Sequence, residues 1–178
     1  MSDTKLGIFD GGAEQEEGDV PSADPQIKVD YEAALGRFLV AFNKLDYELG
    51  MLIKMILLYH HQRDGLIQRS AFEAEYFWKV HNLELLSLPG GRHQLEAKLP
   101  SLLRDIGAFR NKIAHGHFDQ NPFDGSFVQR GKKPAKPHAF TTGDLDAYTK
   151  KCEQAWNDVR HAEAAYWFDA MPTQSKGK

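Results

Sequence analysis

Nine large apolar residues, Tyr31, Leu35, Phe38, Phe42, Leu45, Leu49, Leu52, Ile56 and Tyr59, recur at alternating spacings of four and three. That spacing keeps all nine on one side of a 3.6-residue helix, and Ala34, Ala41, Ile53 and Leu57 widen the stripe. Asp24-Pro25 has the form of an N-cap followed by proline at the first helical position, and Asp30 is a second candidate start. A helix of roughly 30 residues is about 45 Å long. This exceeds what a compact three-helix core needs, so the helix must bend or also pack on a partner chain.

The rest of the chain supplies elements to cover that stripe. His60 to Gly65 is expected as a connection. Ser70-Ala-Phe-Glu73 has capping-box spacing, which predicts a second helix from Ser70, buried through Phe72, Phe77, Val80, Leu83 and Leu86 and stopped by Pro89-Gly90-Gly91. His93 to Leu99 is expected as a short helix. Pro100 then opens another whose inward residues are Leu102, Leu103, Ile106, Phe109 and Ile113, with Gly116 just past its end. Asn121-Pro122, Asp124-Gly125 and the extended pair Phe127-Val128 predict a loop or short hairpin. A last helix from Gly143 or Asp144 to Ala170 carries the stripe Leu145, Tyr148, Cys152, Ala155, Trp156, Val159, Ala162, Ala165, Tyr166. The expected fold is all-α: an up-and-down bundle of four main helices plus a short one, with a loop or short hairpin before the last helix.

Composition sets limits on function. A chain of 178 residues can bury one core and fits a single domain. Its one cysteine, Cys152, excludes an internal disulfide and a Cys-rich zinc site and fits a reducing cytoplasm. No run of about 18 apolar residues exists, so no membrane span is expected, and the N-terminus lacks a basic start and apolar run. Residues 1–24 hold seven acids against Lys5, a net −6, which leaves +3 on the rest of a chain whose total is −3. These residues lack apolar periodicity and are expected to be a disordered acidic tail. The helical domain is expected over 25–171, with a polar disordered tail over 172–178.

The chemistry concentrates in Arg110-Asn111-Lys112-Ile113-Ala114-His115. RNA carries its own nucleophile in the 2′-OH, so its cleavage needs only a base, an acid and stabilisation of charge on the phosphate. An imidazole, with an ordinary pKa of about 6.5, serves as base or acid. A guanidinium holds a phosphate through a planar fork. Residues five apart point about 140° away from each other on a helix, so Arg110 and His115 do not share a face, whereas Asn111 and His115 do. The rise between Arg110 and His115 is only about 7.5 Å, so both can border one cleft, and a twofold dimer would present each residue twice. The same residues also suit an ordinary helix end, where cations complement the dipole and glycine finishes the turn.

The segment resembles the R-x4–6-H signature of HEPN domains, in which a polar residue directly follows the arginine, as Asn111 does here. The order of elements is similar too: a long first helix, a second, the motif at the end of the third main helix, and a closing helix, over about Tyr31 to Phe168. The resemblance implies a helical bundle that homodimerises with its motifs facing each other. It implies a metal-independent endoribonuclease, as in toxin–antitoxin, phage-defence or RNA-processing systems, with no cofactor. Arg110 and His115 would be catalytic and Asn111 supporting. RNA would be the substrate, and a cognate antitoxin or nucleotidyltransferase a partner. Other members are non-catalytic and bind a partner protein or nucleotide, which is the alternative expectation.

Outside the motif, Arg130, Lys132, Lys133 and Lys136 lie in an acid-free stretch that can either contact an RNA backbone or keep a loop tip solvated. His117 either assists the site or is simply exposed. His115, His117 and Asp119 alternate, which is not a zinc-ligand spacing, and no metal site is expected. Glu48 flanks the first stripe and is placed to pair with Arg110 across the bundle or with Lys44 one turn away. Trp78, Trp156 and Trp167 fall on helices, where core or interface packing is expected.

Overall fold

The computed structural model describes residues 24–60, 62, 64–86, 95–115, 117–120, 127–130 and 139–170. The tails at either end, the Pro89-Gly90-Gly91 stop, Gly116 and Lys132 to Lys136 lie outside the described residues. Among the described residues the order is α1 (Pro25–Tyr59), α2 (Gly65–Glu73), α3 (Tyr76–Leu86), α4 (Lys98–His115), β1 (His117–Gln120), β2 (Phe127–Arg130), β3 (Ala139–Phe140) and α5 (Thr142–Ala170). The fold is an all-α bundle with one small antiparallel sheet, ordered β1-β2-β3, in which β1 and β2 pair as the expected short hairpin would and β3 adds a third strand.

The long helix forms as its stripe requires. Asp24 caps it by accepting from the Gln26 amide at 2.8 Å, with Pro25 in the first turn, so Asp30 lies inside the helix and does not start it. Tyr31, Phe38, Phe42, Leu45, Leu49, Leu52 and Ile56 are buried, while Leu35 and Tyr59 close the edges half-buried. At 35 residues α1 is about 52 Å long. It packs most extensively against α5, whose Leu145, Cys152, Ala155, Val159 and Tyr166 are buried. A reciprocal cap at Thr141 starts α5: its backbone N–H donates to Asp144 at 2.9 Å, and the Asp144 N–H donates back to Oγ1 at 3.1 Å.

The expected second helix is a correction. Asp64 caps α2 by accepting from the amides of Leu66 and Ile67, so Ser70 sits within the last turns of that helix. The Ser70–Glu73 spacing is instead occupied by an Arg69–Glu73 pair at 2.8 Å. The chain breaks at Ala74 and Glu75 and restarts as α3. The break re-aims the faces: Val80 and Leu83 are buried, Phe72 and Leu86 half-buried, and Phe77 is 65% exposed. Trp78 and Trp167 are likewise exposed, and Trp156 is half-buried.

Lys79, on the inward side of α3, is buried. Its ammonium donates to the Asp46 carbonyl and to Asp46 Oδ1, both at 3.0 Å, in the middle of α1. One lysine therefore joins the broken second hairpin to the long helix while keeping its charge paired. Tyr76 adds a second tie by donating from its hydroxyl to the Leu103 carbonyl of α4 at 3.0 Å.

Close approach of α2 to α1 depends on Gly50. A Cβ there would meet Phe72 Cδ2 at 2.8 Å and the Phe72 carbonyl oxygen at 3.1 Å. Gly50→Ala gains about 1 kcal/mol of helix propensity. The backbone clash moves α2 outward at an overpacking cost of about 1–3 kcal/mol. The expected result is a net loss of stability, read as a lower Tm, and an unchanged or higher Tm would show that α2 does not sit this tightly.

Candidate functional site

α4 is positioned by the residue just before the motif. Phe109 meets Phe38 of α1 edge-on at 5.2 Å, Phe140 of β3 edge-on at 5.3 Å, and lies flat on Tyr148 of α5 at 3.7 Å. Beside it, Asp105 accepts from the Tyr148 hydroxyl at 3.0 Å and pairs with Lys151 at 2.7 Å. The Lys151 hydrogen bond holds the Asp105 carboxyl below its ordinary range, and Lys112, in the last turn, adds to the effect. The Asp105 bond and burial together push the Tyr148 hydroxyl up, with burial the larger cause.

On the other side of α4 stands Arg110. Its guanidinium lies 5.7 Å from the centroid of the Phe42 ring, which is itself 4.8 Å from the ring of Tyr76. Tyr76 fits there because Gly107, one turn before Arg110 on α4, has no side chain; a Cβ would sit 2.8 Å from Tyr76 Cε1. Arg110 thus rests half-buried on an aromatic step that the sequence reading did not foresee. Gly107, a glycine inside the helix one turn before Arg110, was the available signal.

Asn111 is exposed, and Arg110 Nη1 donates to its Oδ1 at 3.4 Å, a long bond. His115 is the last residue of α4 and is exposed. It falls on the same outer line as Ser101, Arg104, Ala108 and Asn111, all exposed. Among the described residues no hydrogen bond or ion pair joins Arg110 to His115. One chain brings Arg110 to Asn111 and sets Asn111 in line with His115.

The guanidinium of Arg110 is distinguished by its partners. Of the five arginines whose side chains are described, Arg37 pairs with Asp146 at 2.8 Å, Arg69 with Glu73 at 2.8 Å, Arg104 with Glu84 at 2.7 Å and Arg160 with Glu48 at 3.6 Å. Among the described residues no carboxylate pairs with Arg110.

Glu48 is a correction. It pairs neither with Arg110 nor with Lys44 but with Arg160 of α5, and it lies beside Glu163. Burial first, and then Glu48, push the Glu163 carboxyl up. This pair belongs to the α1–α5 contact and adds no acid to the motif. His117 and Arg130 are directly opposite in the register of β1 and β2, which begins right after the motif helix. Lys132, Lys133 and Lys136 lie outside the described residues. Among the described residues no group of three His, Cys, Asp or Glu is arranged to hold a metal ion, and no helix is long and apolar enough to cross a membrane.

The Asp105 network has a pH signature. A carboxyl held low by its folded partners stabilises the fold above its unfolded pKa, and this stabilisation is lost as pH falls through the folded value. The pair is partly exposed, so its worth is under about 1 kcal/mol. Asp105→Asn is therefore expected to lower the Tm slightly at neutral pH and to match the native chain once the medium is acid enough to protonate Asp105. A difference that persists unchanged at acid pH would place the effect in packing.

Comparison with protein-family models, with curated proteins and with solved structures finds no match to the chain.

Proposed function

We propose that the chain is a metal-independent endoribonuclease of HEPN type, built on Arg110, Asn111 and His115 and acting as a homodimer. The observation that carries the reading is the open guanidinium of Arg110. It is half-buried on the Phe42 ring without a carboxylate partner among the described residues, one residue before Asn111 and one turn and a half before the exposed imidazole of His115. A cation held on an aromatic ring, with no carboxylate partner among the described residues, suits a phosphate.

The chemistry follows from the groups present. Arg110 binds the non-bridging phosphate oxygens and stabilises the charge that grows on them. An imidazole takes the 2′-OH proton as the 2′-oxygen bonds to phosphorus. A second, protonated imidazole gives its proton to the departing 5′-oxygen as the P–O5′ bond breaks. The products are a 2′,3′-cyclic phosphate and a 5′-hydroxyl. Asn111, on the His115 line of α4, orients the arginine or the substrate. Two imidazoles are needed and each motif supplies one, which is why the reading includes a second copy with its motif opposite the first. RNA contacts from β1, β2 and the following segment, through His117, Arg130, Lys132, Lys133 and Lys136, extend the site. A role as a toxin or phage-defence effector, with a cognate antitoxin or nucleotidyltransferase, belongs to the same reading, as does a cytoplasmic location.

Purified protein is expected to cleave RNA in the presence of EDTA and to leave cyclic phosphate ends. His115→Ala and Arg110→Ala are each expected to lose about 10²–10⁴-fold in rate, with stability, read from the thermal melt, unchanged for the exposed His115 and lowered by no more than about 1 kcal/mol for Arg110, which gives up its place on the Phe42 ring. Equal cleavage by all three proteins would remove the site. Absence of cleavage across varied RNAs would favour the non-catalytic module that binds a partner protein or nucleotide.

A further inference from the structure

α1 carries a second stripe. Val29, Ala33, Gly36, Val40, Asn43 and Tyr47 are spaced four, three, four, three and four, and every one is exposed. They lie about 180° around the helix from the buried stripe centred on Phe38 and Leu45. Alternating spacings of four and three over 18 residues are the seam of a helix that meets another helix. Three of the six are large apolar or aromatic residues more than half exposed: Val29 at 56%, Val40 at 57% and Tyr47 at 56%.

Two members of the seam cost helix stability and have no use inside this chain. Gly36 is in the helix interior, where glycine is disfavoured by about 1 kcal/mol relative to alanine. A Cβ at Gly36 would meet nothing within 4 Å, unlike Gly50 and Gly107, each of which makes room for an aromatic ring. Asn43 is a weak helix former on an exposed turn, and a single polar residue in a helical seam sets register. We infer that this outer face of α1 is an interface for a second copy of the chain, with the two α1 helices antiparallel and crossing near residue 38.

The register argues for a second copy over an unrelated helix. Turning the seam end for end about residue 38 sets Gly36 opposite Val40, Ala33 opposite Asn43 and Val29 opposite Tyr47. At every layer a larger side chain faces a smaller one, which is the self-complementarity a twofold interface needs. Charge agrees. Asp30 and Lys44 are fourteen residues apart, nearly four turns, and so share one flank of the seam. The same turn brings Lys44 of one copy towards Asp30 of the other on that flank. Among the described residues neither is in an ion pair, although Asp30 accepts from Gln26 at 2.7 Å.

Area also fits. A stable interface takes about 800 Å² per partner, more than one helical seam offers. Gly36, Val40, Asn43 and Tyr47 form one wall of a groove of about 1180 Å³ whose other wall is α5, with Glu153 and Trp156. A second α1 on the seam would bury the mouth of this groove as well.

This interface is separate from any pairing of the motifs, because the seam lies on the side of α1 away from Phe42, on which Arg110 rests. The inference does not rest on the ribonuclease reading. A chain that pairs through the seam alone is a dimer; one that also pairs through its motifs forms a larger assembly.

The test is the mass of the full chain in solution at micromolar concentration, by light scattering or sedimentation, against Val40→Glu and Gly36→Leu. Both positions are open, and Gly36→Leu favours the helix, so a retained far-UV CD spectrum and thermal melt are expected. Each variant is expected to have half the mass of the native chain. Unchanged mass in both variants, or a native chain that is monomeric, overturns the interface. Gly36→Cys mixed with Val40→Cys is expected to cross-link under mild oxidation, whereas cross-linking of Val40→Cys only with itself overturns the antiparallel register. Because mass is the readout, halving supports the seam whether or not the protein cleaves RNA, and loss of cleavage in His115→Ala leaves the seam untouched.

Discussion

Phe109 is the contact on which the arrangement of this bundle depends. Its ring is buried where α1, α5 and the small sheet converge, edge-on to Phe38 and Phe140 and flat against Tyr148. Edge-to-face and offset contacts of this kind add about 0.5–1.5 kcal/mol each to the burial of the ring. They also fix rotation: α4 cannot turn about its axis without losing all three. The angular position of every other side chain on α4 follows from this one. Asp105 and Lys112 go to the α5 side, Gly107 and Arg110 to the side of Tyr76 and Phe42, and Asn111 and His115 to solvent.

The same rotation makes Arg110 unusual. The four other arginines whose side chains are described, all exposed, find carboxylates within reach on neighbouring turns or helices. Arg110 meets aromatic carbon, because the position facing it on α1 is Phe42 and the position behind that is Tyr76. An aromatic face holds a guanidinium in place without neutralising it. The ring orients the cation and leaves its charge in place. An ordinary end would use Lys112 and His115 to complement the dipole just as well, but it gives no reason for the stack under Arg110.

Much of this was legible in the sequence, and what was not has identifiable causes. The core stripe of α1, the Asp24-Pro25 start, the inward residues of α4 and the stripe of α5 follow from periodicity, because those helices are long enough for the apolar spacing to be unambiguous. The second hairpin was misread. Ser70-x-x-Glu73 satisfies a capping pattern that local sequence cannot tell from the end of a helix already under way, and the break at Ala74 and Glu75 carries neither glycine nor proline. Phe77 was placed inward by spacing that assumed one unbroken helix. Lys79 could not be read as buried, since its partner Asp46 is more than thirty residues away. At the candidate site, the ending of α4 at His115, with Arg110 and Asn111 in its last turns, was legible, but the ring beneath Arg110 was not. Glu48 was misassigned because its partners Arg160 and Glu163 are on the last helix.

α1 explains why these failures do not spread. Its inner stripe is specified by local spacing alone and gives α5, α4 and the α2–α3 hairpin a common surface before any of them is placed. Its outer stripe obeys the same spacing and is exposed throughout, with Tyr47 alone meeting a ring of the chain, that of Phe72, edge-on at 5.5 Å among the described ring contacts. A helix about 52 Å long with apolar rows on opposite sides has one row for its own fold and one for association. Phe42 belongs to the first and Val40 and Asn43 to the second. The helix is about 10–12 Å across with its side chains, so the cation on Phe42 and the outer seam are held in fixed relation on opposite sides of one rigid element. Assembly through the seam therefore leaves the Arg110 face open, and whatever binds there meets a surface whose geometry is already set by the monomer.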